Sequence, residues 1–239
     1  MTANKMTLLT LCASLVLSTA GCGSQGEEAY VEPRRRMVEE QLRARDIKDP
    51  RVLAAMGRVP RHRFVPEALR FRAYADHPLP IGSGQTISQP YIVALMTQLA
   101  EVEPDDVVLE IGTGSGYQAA VLSELVREVA TIEIVPELAE TAGELLKELG
   151  YRNVTARTGD GYLGWKERAP FDAILVTAAA PEIPPPLVEQ LAPGGILVIP
   201  VGPQSEVQNL LRIQKSEDGT TSMKEILPVV FVPLVRERR

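Results

Sequence analysis

Cysteine and histidine, the side chains behind much enzyme chemistry, are scarce in this chain of 239 residues. Both cysteines, Cys12 and Cys22, fall within the first 26 residues. The remainder therefore has no thiol for a disulfide, a metal site or nucleophilic catalysis. The histidines are His62 and His77 alone. Long apolar runs are missing too: the stretch from Leu8 to Ala20 is shorter than the ~20 residues that span a bilayer. There is no excess of positive charge either. A formal net charge of −6 argues against a surface that tracks phosphates, so nucleic acid is not an expected partner. The densest basic run, Arg34-Arg35-Arg36, lies among Glu32, Glu39 and Glu40 and reads as a solvated helix face.

What is present is ordinary for a folded chain, with 45% hydrophobic and 23% charged residues. The first 26 residues differ in character. Lys5 precedes the apolar run, which has the length of an export signal. It ends in Ser18-Thr19-Ala20-Gly21-Cys22, which resembles the cleavage and lipidation site of bacterial lipoproteins, although Thr19 stands where an aliphatic residue is usual. A misplaced start codon or an uncleaved extension is the competing reading. A lipid anchor at Cys22 is the one route to a membrane that the sequence offers.

Three segments follow from the patterning: 1–26 as signal and tether, 27–100 as a helical, substrate-side segment, and 101–239 as an α/β domain. Residues 27–239 are expected to form one structural unit. Helices are expected over 34–45, from Asp49-Pro50 onward, and from Ser88-Gln89-Pro90 to about position 100, with a loop-rich connection over 59–86. From position 107 short apolar strands (107–111, 129–134, 154–157, 173–176, 195–201) alternate with helices (117–126, 136–149, 187–191). That alternation predicts a mostly parallel, doubly wound sheet of Rossmann-like type. Segments 210–215 and 226–235 flank Glu217-Asp218-Gly219 and predict a C-terminal antiparallel hairpin.

The stretch EIGTGSG at 110–116 follows a strand and opens a helix. Its glycines allow a ligand to approach the backbone at the strand carboxyl ends. Its spacing is G-x-G-x-G; the dinucleotide fingerprint would put its third glycine at 117, which is Tyr117. A pyrophosphate ligand is disfavoured. Glu110, Glu133 and Asp160 fall at the ends of successive strands and face one crevice. A cationic ligand carrying an adenosine fits them, with Glu133 on the ribose and Asp160 at the adenine edge.

The segments VLEIGTGSG (108–116), IEI (132–134), GDG (159–161) and FDAILV (171–176) resemble, in that order, the S-adenosylmethionine-dependent methyltransferases of class I. Four more narrow the likeness: RHRFVP (61–66), AYADHPLPIG (73–82), GQTISQP (84–90) and TAAAP (177–181) resemble the protein-L-isoaspartate O-methyltransferases. The resemblance runs from about Val38 to Leu234 and leaves out the first 26 residues. It implies a repair enzyme that moves a methyl group from S-adenosyl-L-methionine to the α-carboxylate of isoaspartyl residues in damaged proteins and peptides. The ester then closes to a succinimide, which opens partly to normal aspartate. It also implies a monomer, no metal, a donor site at Glu110, Gly112, Thr113, Gly114, Gly116, Glu133, Asp160 and Gly161, and a catalytic Ser88. Gln85, Thr86, Ile87, Ala179 and Ala180 are the substrate-side residues it implies.

The shortage of bases is compatible with that chemistry. A carboxylic acid, with pKa about 4, is already an anion at neutral pH. Alignment and exclusion of water are what remain for the protein to supply. A hydroxyl orients a carboxylate without quenching it with a full charge. Read alone, Ser88 before Gln89-Pro90 is a helix cap; read with the resemblance, it touches substrate, and the two roles are compatible. Two further readings stay open: an envelope-tethered binding lipoprotein that keeps the fold without catalysis, and a methyltransferase for another carboxylate. Cofactor supply and family imply the cytoplasm, whereas residues 5–22 imply the periplasm or cell envelope.

Overall fold

The computed structural model describes residues 26–203 and 206–236, so the expectations for Cys22 and the segment before position 26 lie outside the described residues. Seven strands form the main sheet in the order β5-β4-β3-β6-β7-β8-β9. These are β3 (Val107–Ile111), β4 (Glu128–Glu133), β5 (Val154–Thr158), β6 (Phe171–Val176), β7 (Leu191–Val201), β8 (Gln208–Lys215) and β9 (Thr221–Val229). Pairings from β5 through β7 are parallel, and β8 and β9 add antiparallel strands at one edge. The expected α/β class with a C-terminal hairpin is what the chain adopts.

Alternation along the strands explains why both faces are covered. Val108, Val129, Leu175 and Val198 point into one core; Leu109, Ile111, Ala130, Ile132, Ile174 and Leu197 point into the other. A strand apolar on both faces needs a layer on each side. The first core is closed by helices α1 (Val31–Arg36, continued as a π-helical stretch Met37–Arg43), α2 (Pro50–Arg58), α3 (Pro90–Leu99), α4 (Tyr117–Ser123) and α5 (Pro136–Glu148). The second is closed by Tyr162, by Leu187 of α6 (Pro185–Glu189) and by Leu234 near the chain end. Asp49 caps α2 as expected, accepting from the Arg51 amide at 2.7 Å.

β4 and β5 lie on one side of β3 while β6 lies on the other. The chain leaving β3 therefore sits where the sheet order reverses, and a crevice opens at the strand carboxyl ends. The connection 59–86 is more ordered than its prolines imply. It holds 3-10 turns at Arg61–Phe64 and Glu67–Arg72 and a hairpin of β1 (Leu79–Gly82) and β2 (Gln85–Ile87) that closes through Gly82, Ser83 and Gly84, all at positive φ.

Two boundaries differ instructively. The expected helix over 187–191 ends at Glu189, and β7 already begins at Leu191, with an irregularity in its pairing opposite Phe171 and Ala173. β9 starts at Thr221 and stops at Val229, so residues 230–235 belong to no strand of the main sheet. As an edge strand β9 exposes most of its side chains, Met223 to 64%, and so lacks the apolar alternation that marks a buried strand.

Gly116 precedes α4 with φ +86°, and a Cβ there would lie 3.2 Å from Leu146 of α5. Gly116→Ala is expected to lower the unfolding free energy by about 1–2 kcal/mol, the cost of forcing an L-residue into the left-handed region. Urea unfolding reads it; an unchanged midpoint would mean that this turn is not what fastens α4 to α5.

Candidate active site

The turn from Gly112 to Gly116 is bound from below and from both sides. The Gly112 amide donates to the Ile132 carbonyl at 2.8 Å, which ties the turn to β4. From β6, the Thr177 hydroxyl lies 2.7 Å from the Gly112 carbonyl and 3.1 Å from that of Ile111. A Cβ on Gly112 would sit 2.6 Å from that hydroxyl, and its φ is +96°, so only glycine fits. From β4, the buried Glu133 accepts from the Gly114 amide (2.8 Å) and the Val135 amide (3.0 Å), its side chain held at the crevice by backbone donors.

Beneath the turn lies a chain of hydroxyls ending in a carboxyl group. Thr113 and Thr131 are 2.6 Å apart, and Thr131 donates to Glu110 Oε2 at 2.5 Å. Glu110 is fully buried, and among the described residues its Oε1 has no hydrogen-bond partner. Burial pushes its pKa up to about 8; the Thr131 bond opposes the shift and the Glu133 charge adds to it.

Around this turn runs a crevice lined by Gln85–Ser88, Glu110–Ser115, Ile132–Ile134, Gly161, Thr177 and Val232–Val235. A cleft of about 690 Å³ adjoins it, walled by Tyr91, Ile92 and the apolar run from Leu227 to Val232, with Arg45 the single charged residue in the lining among the described residues. Thr86, Ser88, Thr177 and Val232 border both. Neither histidine lines either space: His62 is buried between Tyr74 and Glu27, and His77 is half-buried beside Pro78 and Arg72.

Several expected site residues stand elsewhere. Ala179 and Ala180 are buried in backbone pairing, Ala179 with Val232 and Leu234, Ala180 with Pro200 and Gly202, and they face neither cleft. Of the same motif, Thr177 borders both spaces and Ala178 only the crevice. Gly116 is turned toward Leu146 and Ala142, away from the crevice. The carboxylate of Asp160 caps the turn Gly161–Leu163 through the Tyr162 amide (2.9 Å), while Gly161 lines the crevice, where a Cβ would meet Ile111 at 2.3 Å. Ser88 is not the helix cap: Gln89 holds that position, and no side chain caps α3. Its hydroxyl is thus not engaged by the helix. The segment Val232–Val235, expected as hairpin strand, lines the crevice instead; the apolar run FVPLV directly after a polar edge strand is the signal for it.

A family profile described as Protein-L-isoaspartate(D-aspartate) O-methyltransferase matches residues 32–239. The chain belongs to this family. It is 57% identical over 231 residues to "Protein-L-isoaspartate O-methyltransferase 2" of Syntrophobacter fumaroxidans, covering 92% of this chain and 94% of that one. It is also 57% identical over 234 residues to "Protein-L-isoaspartate O-methyltransferase" of Opitutus terrae, covering 98% of each. A solved methyltransferase of the same description from Plasmodium falciparum, in complex with S-adenosyl-L-homocysteine, superposes with a TM-score of 0.74 at 28% identity over 85% of this chain and 99% of that one. This methyltransferase therefore uses S-adenosyl-L-methionine, and the crevice fits such a group on its own evidence. It offers a turn whose residues 112 and 114 are glycines, an unpartnered buried carboxyl oxygen, and a second carboxylate at the adjacent strand end.

Glu110 sets a pH dependence. Between the ordinary value of 4.5 and about 8, the folded chain keeps a proton that the unfolded chain has lost. Its stabilisation is full below the ordinary value, falls as pH rises, and is gone above about 8. A cation bound beside Glu110 favours the carboxylate, so binding of the methyl donor is expected to release a proton and to tighten from about pH 6 to 8. Calorimetry in buffers of differing ionisation enthalpy reads the proton, and Glu110→Gln removes both release and slope. A slope that survives in that variant assigns the titration to another group.

Proposed function

We propose that this enzyme methylates the α-carboxylate of L-isoaspartyl residues in damaged proteins and peptides, and that Ser88 orients that carboxylate. The observation that carries the reading is the meeting of two spaces at hydroxyl groups. Thr86, Ser88 and Thr177 lie where the crevice over the glycine turn opens into the larger apolar cleft. S-adenosyl-L-methionine, when bound, supplies a methyl group activated by a sulfonium. The chain's own residues then have to hold a carboxylate that is already anionic, aim it, and keep water away.

Ser88 is suited to the aiming. A hydroxyl hydrogen bond to an ionised acceptor is strong enough to orient it and leaves its charge in place. Gln85, Thr86 and Ile87 form the strand beside it, and Ile87 is buried, which fixes the direction of its neighbours. The wall of Val229 and Phe231 lowers the local dielectric and excludes water from the reacting carboxylate. On the donor side we assign Gly112, Thr113 and Gly114 to the close backbone approach and Glu133 to the ribose hydroxyls. Glu110 takes the cationic part, and Gly161, in the turn that Asp160 caps, the adenine edge. The ester leaves this site to close to a succinimide without further help from the chain, which is how methylation leads back toward aspartate.

The substrate's proteins are its partners, and we place the enzyme in the cytoplasm as a monomer, where the methyl donor is made. Among the described residues no helix is long and apolar enough to cross a membrane. Fractionation of the native chain and sedimentation of the purified one test these two assignments; a lipidated Cys22 in the envelope fraction contradicts the first.

The activity itself is read with labelled S-adenosyl-L-methionine and paired isoaspartyl and aspartyl peptides. Base-labile label is expected on the isoaspartyl peptide alone. Ser88→Ala is expected to lower kcat by about 10- to 100-fold, the worth of a hydrogen bond to a charged group, with S-adenosylhomocysteine affinity unchanged within about twofold. Full turnover in that variant removes Ser88 from the mechanism; cofactor binding without transfer to either peptide removes the isoaspartyl reading.

A further inference from the structure

The segment RHRFVP at 61–66 has had no role so far, yet its first residue is the largest fully buried side chain among those described. Arg61 is 0% exposed. Its Nε donates to the Ala73 carbonyl at 2.7 Å and its Nη2 to the Ser88 carbonyl at 2.7 Å. Its guanidinium carbon lies 4.8 Å from the ring centroid of Tyr117, the first residue of α4 and part of the donor crevice. Nη1 has no partner, and no carboxylate bonds the group, among the described residues.

Burying a cation with no carboxylate bonded to it costs several kcal/mol, which the charge of nearby Asp76 offsets only in part, and an apolar residue of similar volume would avoid that cost. Burial draws the guanidinium down only to about 10, so it stays charged at neutral pH. The rest of the turn is built to hold it still. His62 bonds the Tyr74 hydroxyl and stacks on Tyr30 at 3.9 Å, and Phe64 meets the Tyr117 ring edge-on at 5.6 Å. One fixed fork thus ties the substrate-side strand to the head of the helix that follows the glycine turn.

We propose that Arg61 is a positioning residue for methyl transfer: it locks the Ser88 carbonyl, and with it the Ser88 hydroxyl, against the head of α4, and sets a positive charge behind the substrate carboxylate. This rests on the assignment of Ser88 made above. A lysine ammonium is a point donor and lacks the planar fork that reaches both carbonyls. Arg61→Lys is therefore expected to lower kcat on an isoaspartyl peptide by about 100-fold, the scale of a misplacement near 1 Å, with S-adenosylhomocysteine affinity held within about twofold.

The decisive arm is the double variant. If Arg61 acts through Ser88, adding Arg61→Lys to Ser88→Ala lowers kcat no further. Losses that multiply overturn the proposal and leave Arg61 a core residue. An unimpaired Ser88→Ala variant instead defeats the Ser88 assignment, whatever the cycle gives. A buried arginine variant can fail to fold, so the wild-type chain supplies a second readout. With S-adenosylhomocysteine bound, the Arg61 Nε–H resonance is expected to shift on adding isoaspartyl peptide and to stay put with aspartyl peptide. A resonance indifferent to both overturns the proposal.

Discussion

The Thr177 hydroxyl occupies the space that a side chain on Gly112 would need, and from there it holds the carbonyls that end β3 and begin the glycine turn. Around that contact the rest of the site is arranged. Glu133 grips the Gly114 amide from β4, and the Ile132 carbonyl accepts from the Gly112 amide itself. A turn fastened to β4 and β6 at once can exist only where those strands flank β3. The sheet order is thus a precondition of the site and more than a scaffold beneath it. The bare backbone left at the top of the turn is what a ligand can approach.

Charge is handled differently on the two sides of the turn. The donor side gathers Glu110 and Glu133, one driven toward neutrality by burial and the other held by amides. The substrate side offers hydroxyls and apolar side chains, with its cations, Arg45 at the rim and Arg61 behind Ser88, kept off the reacting face. A cationic donor and an anionic acceptor call for this division. In the proposed assignment acids face the cation, neutral donors face the anion, and no proton has to be taken from either. The scarcity of histidine and cysteine follows from a reaction in which the nucleophile arrives already ionised.

Much of this was legible because parallel strands buried on both faces read as unbroken apolar runs, so β3, β4 and β6 could be placed closely and the crevice located from Glu110, Gly112 and Glu133. What could not be read depends on contacts between distant segments. Gly116 has the same residue type and a similar φ to Gly112, but which of them lines the crevice and which meets Leu146 is decided by helix packing. Ala179 and Ala180 follow a motif strand in the same way as Thr177, yet the returning chain end pairs with Ala179 and covers it. The run FVPLV marks that return only once β9 is known to be a polar edge strand that stops at Val229; without that boundary it reads as more hairpin. The role of Ser88 as a cap was excluded only by the backbone, which starts α3 one residue later than the hydroxyl could serve.

The central claim is that Ser88 meets the substrate carboxylate where the two clefts join. The most direct measurement is a crystal structure of this chain with S-adenosylhomocysteine and an isoaspartyl peptide. The account predicts the Ser88 hydroxyl at about 2.5–3.0 Å from a carboxylate oxygen, the span of an O–H···O bond, with the peptide lying along the Leu227–Val232 wall. A carboxylate held by other groups, with the Ser88 hydroxyl out of reach, would contradict it.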